Sequence, residues 1–580
     1  MAKRRLNLFW LSVCLALVFT STTPLSAASL LGDDWETFFR EKVSFRGFVE
    51  NTTGLSVSHG DRHFNTSNRL DMQRFTIQPE INVDATSWAK FFISWRFVKE
   101  IRYSAEAKSR EKSVTYNPPA PVKPLPNTYY DEYRPKPWEA VLDLLPTDTL
   151  KVRVGRQFIS WGETDGIRLL DLINPQDLTF SPPVAPNLFS LDETRIPSVG
   201  LRTLYTIRPV SNTILEFFAL PGFFDEAKQR VDEIVGSNDT NDRQVRYGRW
   251  SAHPETRLVY RLGPSTFNGF GNMYANSIRA ACSNPVPPVS ISCLVTPNTS
   301  RELPDAGDSW KIGTRITSNL GKLNFGLGYI WGFNPQASDM VFKVKGVHCF
   351  VQVPGPVPDA PCLRGGPPSV VDLRLVNDRT NVFAGQFNYP VGDILDIPVN
   401  TTVRGEVVFL PDKPYNIAKF PGAFGLRATV DPRHPTAVVE KDTLRYALGF
   451  DRTTLIPFLH PDDPWRAFSL SFQLFQSIIF DHEDGIHPFS TAEKIKRVST
   501  TLTFRIGTGY AGDTILPDVF VAVDPEGYWA VNPAISYVPP GNEKFKFSLV
   551  GAFYGGRNKF KSFGFFDEKD SVFLKMRYQF

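Results

Sequence analysis

Polar and apolar residues alternate along most of this chain with a period of two. In residues 74–83, Phe75, Ile77, Pro79, Ile81 and Val83 share one face, and Arg74, Thr76, Gln78, Glu80 and Asn82 share the other. Residues 88–105 set Phe91, Ile93, Trp95, Phe97, Ile101 and Tyr103 against Lys90, Ser94, Arg96, Glu100 and Arg102. Residues 498–506 repeat the pattern, with Val498, Leu502, Phe504 and Ile506 opposite Ser499, Thr501, Thr503 and Arg505. It recurs at 199–207, 310–317, 323–333, 403–409, 444–451, 468–475 and 545–553. Period two is the signature of strands with one apolar and one polar face.

The connections alternate too. Those around Pro146-Thr147-Asp148-Thr149, Asn319-Leu320-Gly321 and Gly541-Asn542-Glu543 are tight, whereas 106–128, 221–253, 278–308, 334–369 and 412–442 are long. Amphipathic strands of ~9–11 residues, joined by alternating short and long connections, predict an all-β transmembrane antiparallel barrel. A soluble β-sandwich is the rival, but the apolar faces here carry Phe, Trp and Tyr near strand ends, as membrane interfaces require. Walking the strands up and down gives about 18, with 16 to 20 compatible, since both ends of such a barrel lie in the periplasm and the number is even. Backbone groups in lipid must all be paired, so the sheet must close as one domain over residues 43–580. The inward-folded stretch described below and long extracellular loops complete this fold class.

Both ends of the chain carry export and insertion signals. Lys3, Arg4 and Arg5, the apolar run Leu6 to Phe19 and the small residues Ser26-Ala27-Ala28 read as a signal peptide over 1–28. Val13 is too bulky before Cys14 for a lipoprotein site. Residues 29–42 form a short periplasmic segment in which Leu31, Trp35, Phe38, Phe39 and Lys42 fit one side of a helix, at the membrane surface or in the barrel mouth. At the other end Val572, Leu574, Met576, Tyr578 and Phe580 share a face. This ending resembles the C-terminal insertion signal of bacterial outer-membrane barrels, with Tyr578 and Phe580 as its key residues. The resemblance implies outer-membrane lipid and the barrel-assembly machinery as partners.

Composition sharpens the picture. Of 580 residues 13% are aromatic, with 47 Phe but only 5 Met, and Gly and Pro number 40 and 47. That mixture suits strands and turns. A formal charge of +4 is too small for a nucleic-acid surface. The signal segment's three basic residues are its only charges, so removing them lowers +4 by three, to +1. Four cysteines remain, in two local pairs within Pro-rich stretches. In an oxidising compartment they are expected as Cys282–Cys293 and Cys349–Cys362, one of three connectivities. A zinc site has no CxxC or flanking His pattern to support it.

Residues 150–178 stand out. A strand, 150–158, runs into Trp161-Gly162-Glu163-Thr164-Asp165-Gly166, then into a helix-like piece with Ile167, Leu169, Leu170, Leu172 and Ile173, stopped by Asn174-Pro175. So apolar a loop is costly in water, and folding it into the barrel would bury its leucines. Residues 162–196 are therefore expected to constrict the lumen, with Trp161, Glu163, Asp165, Arg168, Asp171, Asn174 and Asp177 as the constriction residues and Arg168, Asp165 and Asp171 facing the passage. Packing on neighbouring extracellular loops is the alternative. Arg156 falls on the face of Val152 and Val154, so Gly155 marks a bulge or a change of register.

The stretches Gly155-Arg156-Gln157, Trp161-Gly162-Glu163 and Ile173-Asn174-Pro175-Gln176-Asp177-Leu178 resemble the hallmark segment of DUF1302, a proteobacterial outer-membrane family of unknown function. The resemblance extends over most of the mature chain. It implies a barrel accompanied by an RND-type exporter and a periplasmic carrier, hence export of a lipid or other hydrophobic molecule.

The polar strand faces carry Arg74, Arg96, Arg102, Arg153, Arg202, Arg315, Arg404, Arg445 and Arg505, with Lys151, Lys311, Lys546, Lys575 and Arg577. The acids read on those faces are Glu80, Glu100, Glu406 and Asp451. A basic pore attracts anions, and Arg suits carboxylate and phosphate. An outer-membrane channel or export porin for an anionic or amphipathic solute is the leading reading. The alternative is a component of a lipid-export system, and a further one is that inward-folded loops bring acids to these arginines. No catalysis, metal or cofactor is expected. The eight histidines fall in apparent loops, no Ser sits in a GxSxG elbow, and His59, His63 and 481–487 read as polar loops rather than metal sites.

Overall fold

The computed structural model describes residues 33–57, 70–100, 137–174, 182, 184–189, 193, 195, 197–207, 212–221, 295–302, 310–333, 341–349, 369–376, 378–391, 400–417, 433–487, 494–557, 562–567 and 570–580. A helix, α1 (Asp33–Lys42), leads directly into the first strand. Eighteen strands follow in an up-and-down meander. They are β1 (Val43–Ser56), β2 (Leu70–Val83), β3 (Ala89–Ser94 and Phe97–Glu100), β4 (Glu139–Thr147), β5 (Leu150–Gln157), β6 (Ser198–Ile207), β7 (Thr213–Leu220), β8 (Lys311–Leu320) and β9 (Leu323–Phe333). Then come β10 (Arg379–Val391), β11 (Thr401–Ile417), β12 (Val438–Leu455), β13 (Ala467–Ile479), β14 (Val498–Gly507), β15 (Ile515–Asp524), β16 (Tyr528–Tyr537), β17 (Phe545–Gly556) and β18 (Ser571–Gln579).

Each strand pairs antiparallel with its neighbours, and β1 pairs with β18 from Phe48↔Gln579 to Ser56↔Ser571, which closes the sheet. The seam extends one step further, because Gly47 and Phe580 exchange both backbone hydrogen bonds at 3.0 Å. β3 is interrupted at Trp95-Arg96 without loss of register, since Glu80↔Ser94 and Ile77↔Phe97 keep the same pairing. The cause is Pro79 on β2. It accepts the Trp95 N–H at 3.1 Å but has none to return.

The outward face is apolar on every wall. Phe75, Phe91, Leu142, Val154, Leu215, Leu327, Phe383, Val407, Phe450, Phe504, Trp529, Leu549 and Leu574 all stand exposed. An apolar belt of this extent is untenable in water. On a closed sheet it is a lipid-facing surface, and it places the chain in the bacterial outer membrane. The strand faces expected from the alternation hold at β2, β3 and β14.

Two loop expectations change. β11 runs to Ile417 and β12 starts at Val438, so both ends of the stretch 412–442 are strand rather than loop. A separate three-stranded sheet, 295–302, 341–349 and 369–376, forms within the long connections after β7 and β9. Cys349 ends its second strand, and His348 precedes it, so neither lies in the strand-poor stretch expected. Cys282, Cys293 and Cys362 fall outside the described residues, as do the signal segment, Arg102 and Asp177.

Candidate functional site in the barrel lumen

The segment after β5 enters the barrel. Ile159, Trp161, Leu170 and Ile173 are all but fully buried, packed on Phe218 and Leu220 of β7, Ile330 of β9, Val382 and Ala384 of β10, Val408 and Leu410 of β11, and Ala447 and Phe475 of β12 and β13. These wall residues point inward, so this part of the sheet is apolar on both faces. Burial of the segment's aliphatic groups drives the insertion, each worth about 1.5–3 kcal/mol.

Polar contacts then fix its position. Glu406 accepts three backbone N–H groups, from Glu163, from Thr164 at 3.0 Å and from Leu170 at 3.1 Å. Gln473 binds Asp165 twice, accepting its N–H at 3.2 Å and donating to its carboxylate at 2.9 Å. Arg404 pairs with Asp165 and, at 2.6 Å, with Asp451, and donates to the Glu163 carbonyl. Lys311 donates to the Ile173 carbonyl at 3.0 Å. Trp161 meets Phe218 edge-on at 5.5 Å and lies 5.1 Å beneath the Arg315 guanidinium. Gly166, with φ +70°, lets the chain turn against Phe520, where a Cβ would approach the ring to 2.6 Å.

Only part of the expected constriction faces the passage. Asp165 does. Arg168 and Asp171 do not: they pair with each other at 3.4 Å, and Asp171 pairs with Arg195 at 2.5 Å, all three nearly sealed from solvent. Asn174 is a buried brace whose side-chain carbonyl accepts the Ile159 N–H at 2.7 Å. Glu163 meets the wall through its backbone and leaves its side chain exposed. The irregularity at Gly155 is neither a bulge nor a register change, because pairing to β4 and β6 continues through it. Gly155 takes φ +131°, open to glycine alone, and Arg156 is turned into a buried site where it donates to the Pro137 carbonyl at 2.6 Å.

Further along, Ala185, Leu188 and Phe189 join Met72, Phe520, Ala522, Tyr528, Val550 and Phe573 in a second buried cluster, together with Phe563 and Phe566. Asn187 donates twice to Asn532, from its backbone N–H and its side-chain amide, and the Leu188 carbonyl accepts from Lys575 at 2.7 Å. The inward segment therefore crosses from the β7–β13 wall to the β15–β18 wall. Two cavities flank it. The larger, about 800 Å³, is lined by Asp165, Asn187, Arg404, Asp451, Arg466, Arg505, Asp513, Asp518, Ser536 and Lys546. The smaller, about 540 Å³, is lined by Arg46, Phe48, Gln78, Glu80, Arg96, Trp138, Phe158, Glu193 and Arg577.

Most wall arginines face acids. Arg153 binds Asp143 through two hydrogen bonds at 2.6 and 2.7 Å. Arg202 and Arg315 converge on Glu216 at 2.7 and 2.8 Å. Arg505 pairs with Asp518 at 3.0 Å, and Arg96 with Glu193 at 3.8 Å. Arg74 lies over the Phe189 ring at 5.2 Å. Arg445 is half-buried on an inward position of β12. Asp143, Glu216 and Asp518 were not visible as lumen acids in sequence. Their strands, β4, β7 and β15, carry apolar residues on both faces, which erases the alternation that would have exposed them.

The loop 481–487 is engaged in ion pairs. Glu483 meets His434 and Lys441 at 2.8 Å each, and Asp484 meets Lys494 at 2.7 Å. His482 bonds the Ile495 carbonyl at 2.7 Å. Burial of the Glu483 carboxylate is outweighed by these two donors, which hold its pKa below the ordinary carboxylate value.

Among solved structures, the chain is similar to OccAB3 of Acinetobacter baumannii, at 8% identity and a TM-score of 0.41, covering 93% of this chain and 99% of that one. It is likewise similar to OccAB2 of the same organism (8%, TM-score 0.41, 94% and 98%) and to OpdK of Pseudomonas aeruginosa, crystallised with vanillate (8%, TM-score 0.39, 94% and 99%). No curated protein matches. The model of the family described as "Protein of unknown function (DUF1302)" matches residues 9–580, nearly the whole chain, and the protein belongs to that family.

Proposed function

We propose that this barrel is an outer-membrane channel for small anionic or amphipathic solutes, with the inward segment as its constriction. The observation that carries the reading is the pairing, in the lining of the larger cavity, of wall residue Arg404 with Asp165 of a segment anchored to the wall by Glu406 and Gln473. A solute passing this point meets fixed, mutually oriented charges in a confined dielectric, which is how pores discriminate. Arg153, Arg202, Arg315, Arg404, Arg445 and Arg505, with Arg74 and Arg96, supply the positive side of that field. Their acid partners temper it, so selectivity is set locally rather than by net charge. The test is reversal potential in planar bilayers under a salt gradient. Anion preference is expected, and cation preference or the absence of a pore overturns the reading.

A second reading, as the outer-membrane part of a lipid or hydrophobic-molecule export system with an RND-type exporter and a periplasmic carrier, is favoured by one observation. The turn between β12 and β13 exposes Phe458 and Trp465 at 80% and 83%, at the end of the barrel that carries both termini. A periplasmic partner would have an apolar foothold there. Crosslinking from position 465 in cells separates the two: capture of an envelope partner supports export, and adducts with lipid alone count against it.

A further inference from the structure

We infer that the lumen contains an anion-binding station on β17 and β18, formed by Lys546 and Arg577 and fitted to the charged oxygens of a small phosphate or carboxylate solute. It rests on the channel reading and names where such a solute pauses.

Lys546 and Arg577 stand directly opposite one another in the register of β17 and β18, both on inward positions. Like charges so placed oppose folding unless acids offset them, as Asp143 and Glu216 do for the opposed pair Arg153 and Arg202. Here the acids are outnumbered. Glu50 is shared by Lys575 at 3.2 Å and Arg577 at 3.6 Å. Glu193 is shared by Lys575 and Arg96. Lys546 takes no ion pair among the described residues and is exposed to the lumen.

The two cations stand between the two cavities, Lys546 lining the larger and Arg577 the smaller. Arg577 is held in place by the Phe48 ring, 3.8 Å beneath its guanidinium, so its charge is presented with little freedom. Ser536 adds a hydroxyl on the larger-cavity side, bonded to Ser548 of β17 at 2.8 Å. A rigid guanidinium beside an ammonium without an ion pair, with a hydroxyl on the ammonium's side, makes a receptor for two or more anionic oxygens.

Calorimetric titration of the detergent-solubilised full chain with inorganic phosphate, and separately with acetate, tests this. Saturable binding near one equivalent is expected, weakened roughly tenfold or more by Lys546→Met. Lys322→Met, in the β8–β9 turn, should leave it unchanged, and Lys546→Arg should retain it. Tighter phosphate than acetate assigns the station to phosphate solutes, and the reverse order to carboxylates. No saturable binding of either anion, or binding indifferent to Lys546→Met in a variant that keeps its β-barrel circular dichroism, overturns the station. Anion-selective conductance that survives such an outcome leaves the channel reading standing. Binding without conductance overturns the channel and keeps the station.

Discussion

Glu406 shows how one residue governs the lumen. Its carboxylate accepts three backbone N–H groups of the inward segment and so joins both ends of the turn from Glu163 to Leu170. Each N–H left buried without an acceptor costs about 1–3 kcal/mol. Glu406→Ala is therefore expected to lower thermal stability and to raise single-channel conductance and its noise together. A variant that loses stability with unchanged conductance would mean that the segment does not limit the current. Glu483 is a second such residue, outside the membrane. Its folded pKa lies below the unfolded value, so its contribution is complete above the ordinary carboxylate range and is lost as pH falls through the folded pKa. Hydrogen exchange of 480–487 should accelerate as pH falls below the ordinary carboxylate range, and Glu483→Gln should abolish that pH step.

At the scale of elements, the inward segment and the final strand make separate predictions. Deleting residues 165–178 removes the packing on Phe218, Val408 and Phe475 and opens the lumen, so conductance should rise several-fold. An unchanged current rejects the constriction. Gly166→Val forces a side chain into the Phe520 ring from a backbone conformation that disfavours it, and should loosen the segment in the same direction as the deletion. For β18, Phe580 does more than end an amphipathic strand. It exchanges backbone hydrogen bonds with Gly47, and its ring stacks on Phe45 at 5.4 Å, across the seam where the barrel closes. Removing Phe580 should reduce the amount of folded barrel in the outer membrane and lower the melting temperature of what remains, both read by heat-dependent gel mobility.

For the whole molecule, the decisive property is the pairing of charge. Read strand by strand, the lumen is basic. Assembled, Asp143, Glu216, Asp165 and Asp518 sit beside the arginines, and among the described residues the cations least matched by acids are Lys546, Lys575 and Arg577. Anion preference should accordingly be modest and should fall with ionic strength, since the excess charge lies in water-filled space where salt screens it. A permeability ratio independent of salt would point instead to size selection at the inward segment.

The amino-acid sequence by itself determined the barrel. Period-two alternation is a local property: each strand's faces are set by its own side chains, and lipid outside imposes the same demand on all of them. Gln78, Glu80 and Arg505 could thus be placed inward, and Phe75 and Phe504 outward, one strand at a time. The insertion of 158–174 was also legible, because a run as apolar as Leu169 to Ile173 has few other places to go. What only the tertiary structure decided is which charges meet. Arg404 and Asp165 are far apart in the chain, as are Lys575 and Glu193, and no periodicity encodes their encounter. Arg168 and Asp171 looked like passage residues because polarity in a loop suggests water. The fold buries them against Arg195, since two nearby guanidinium groups make a buried carboxylate tolerable. Coulomb pairing depends on distance across the lumen, and that distance exists only once the sheet has closed.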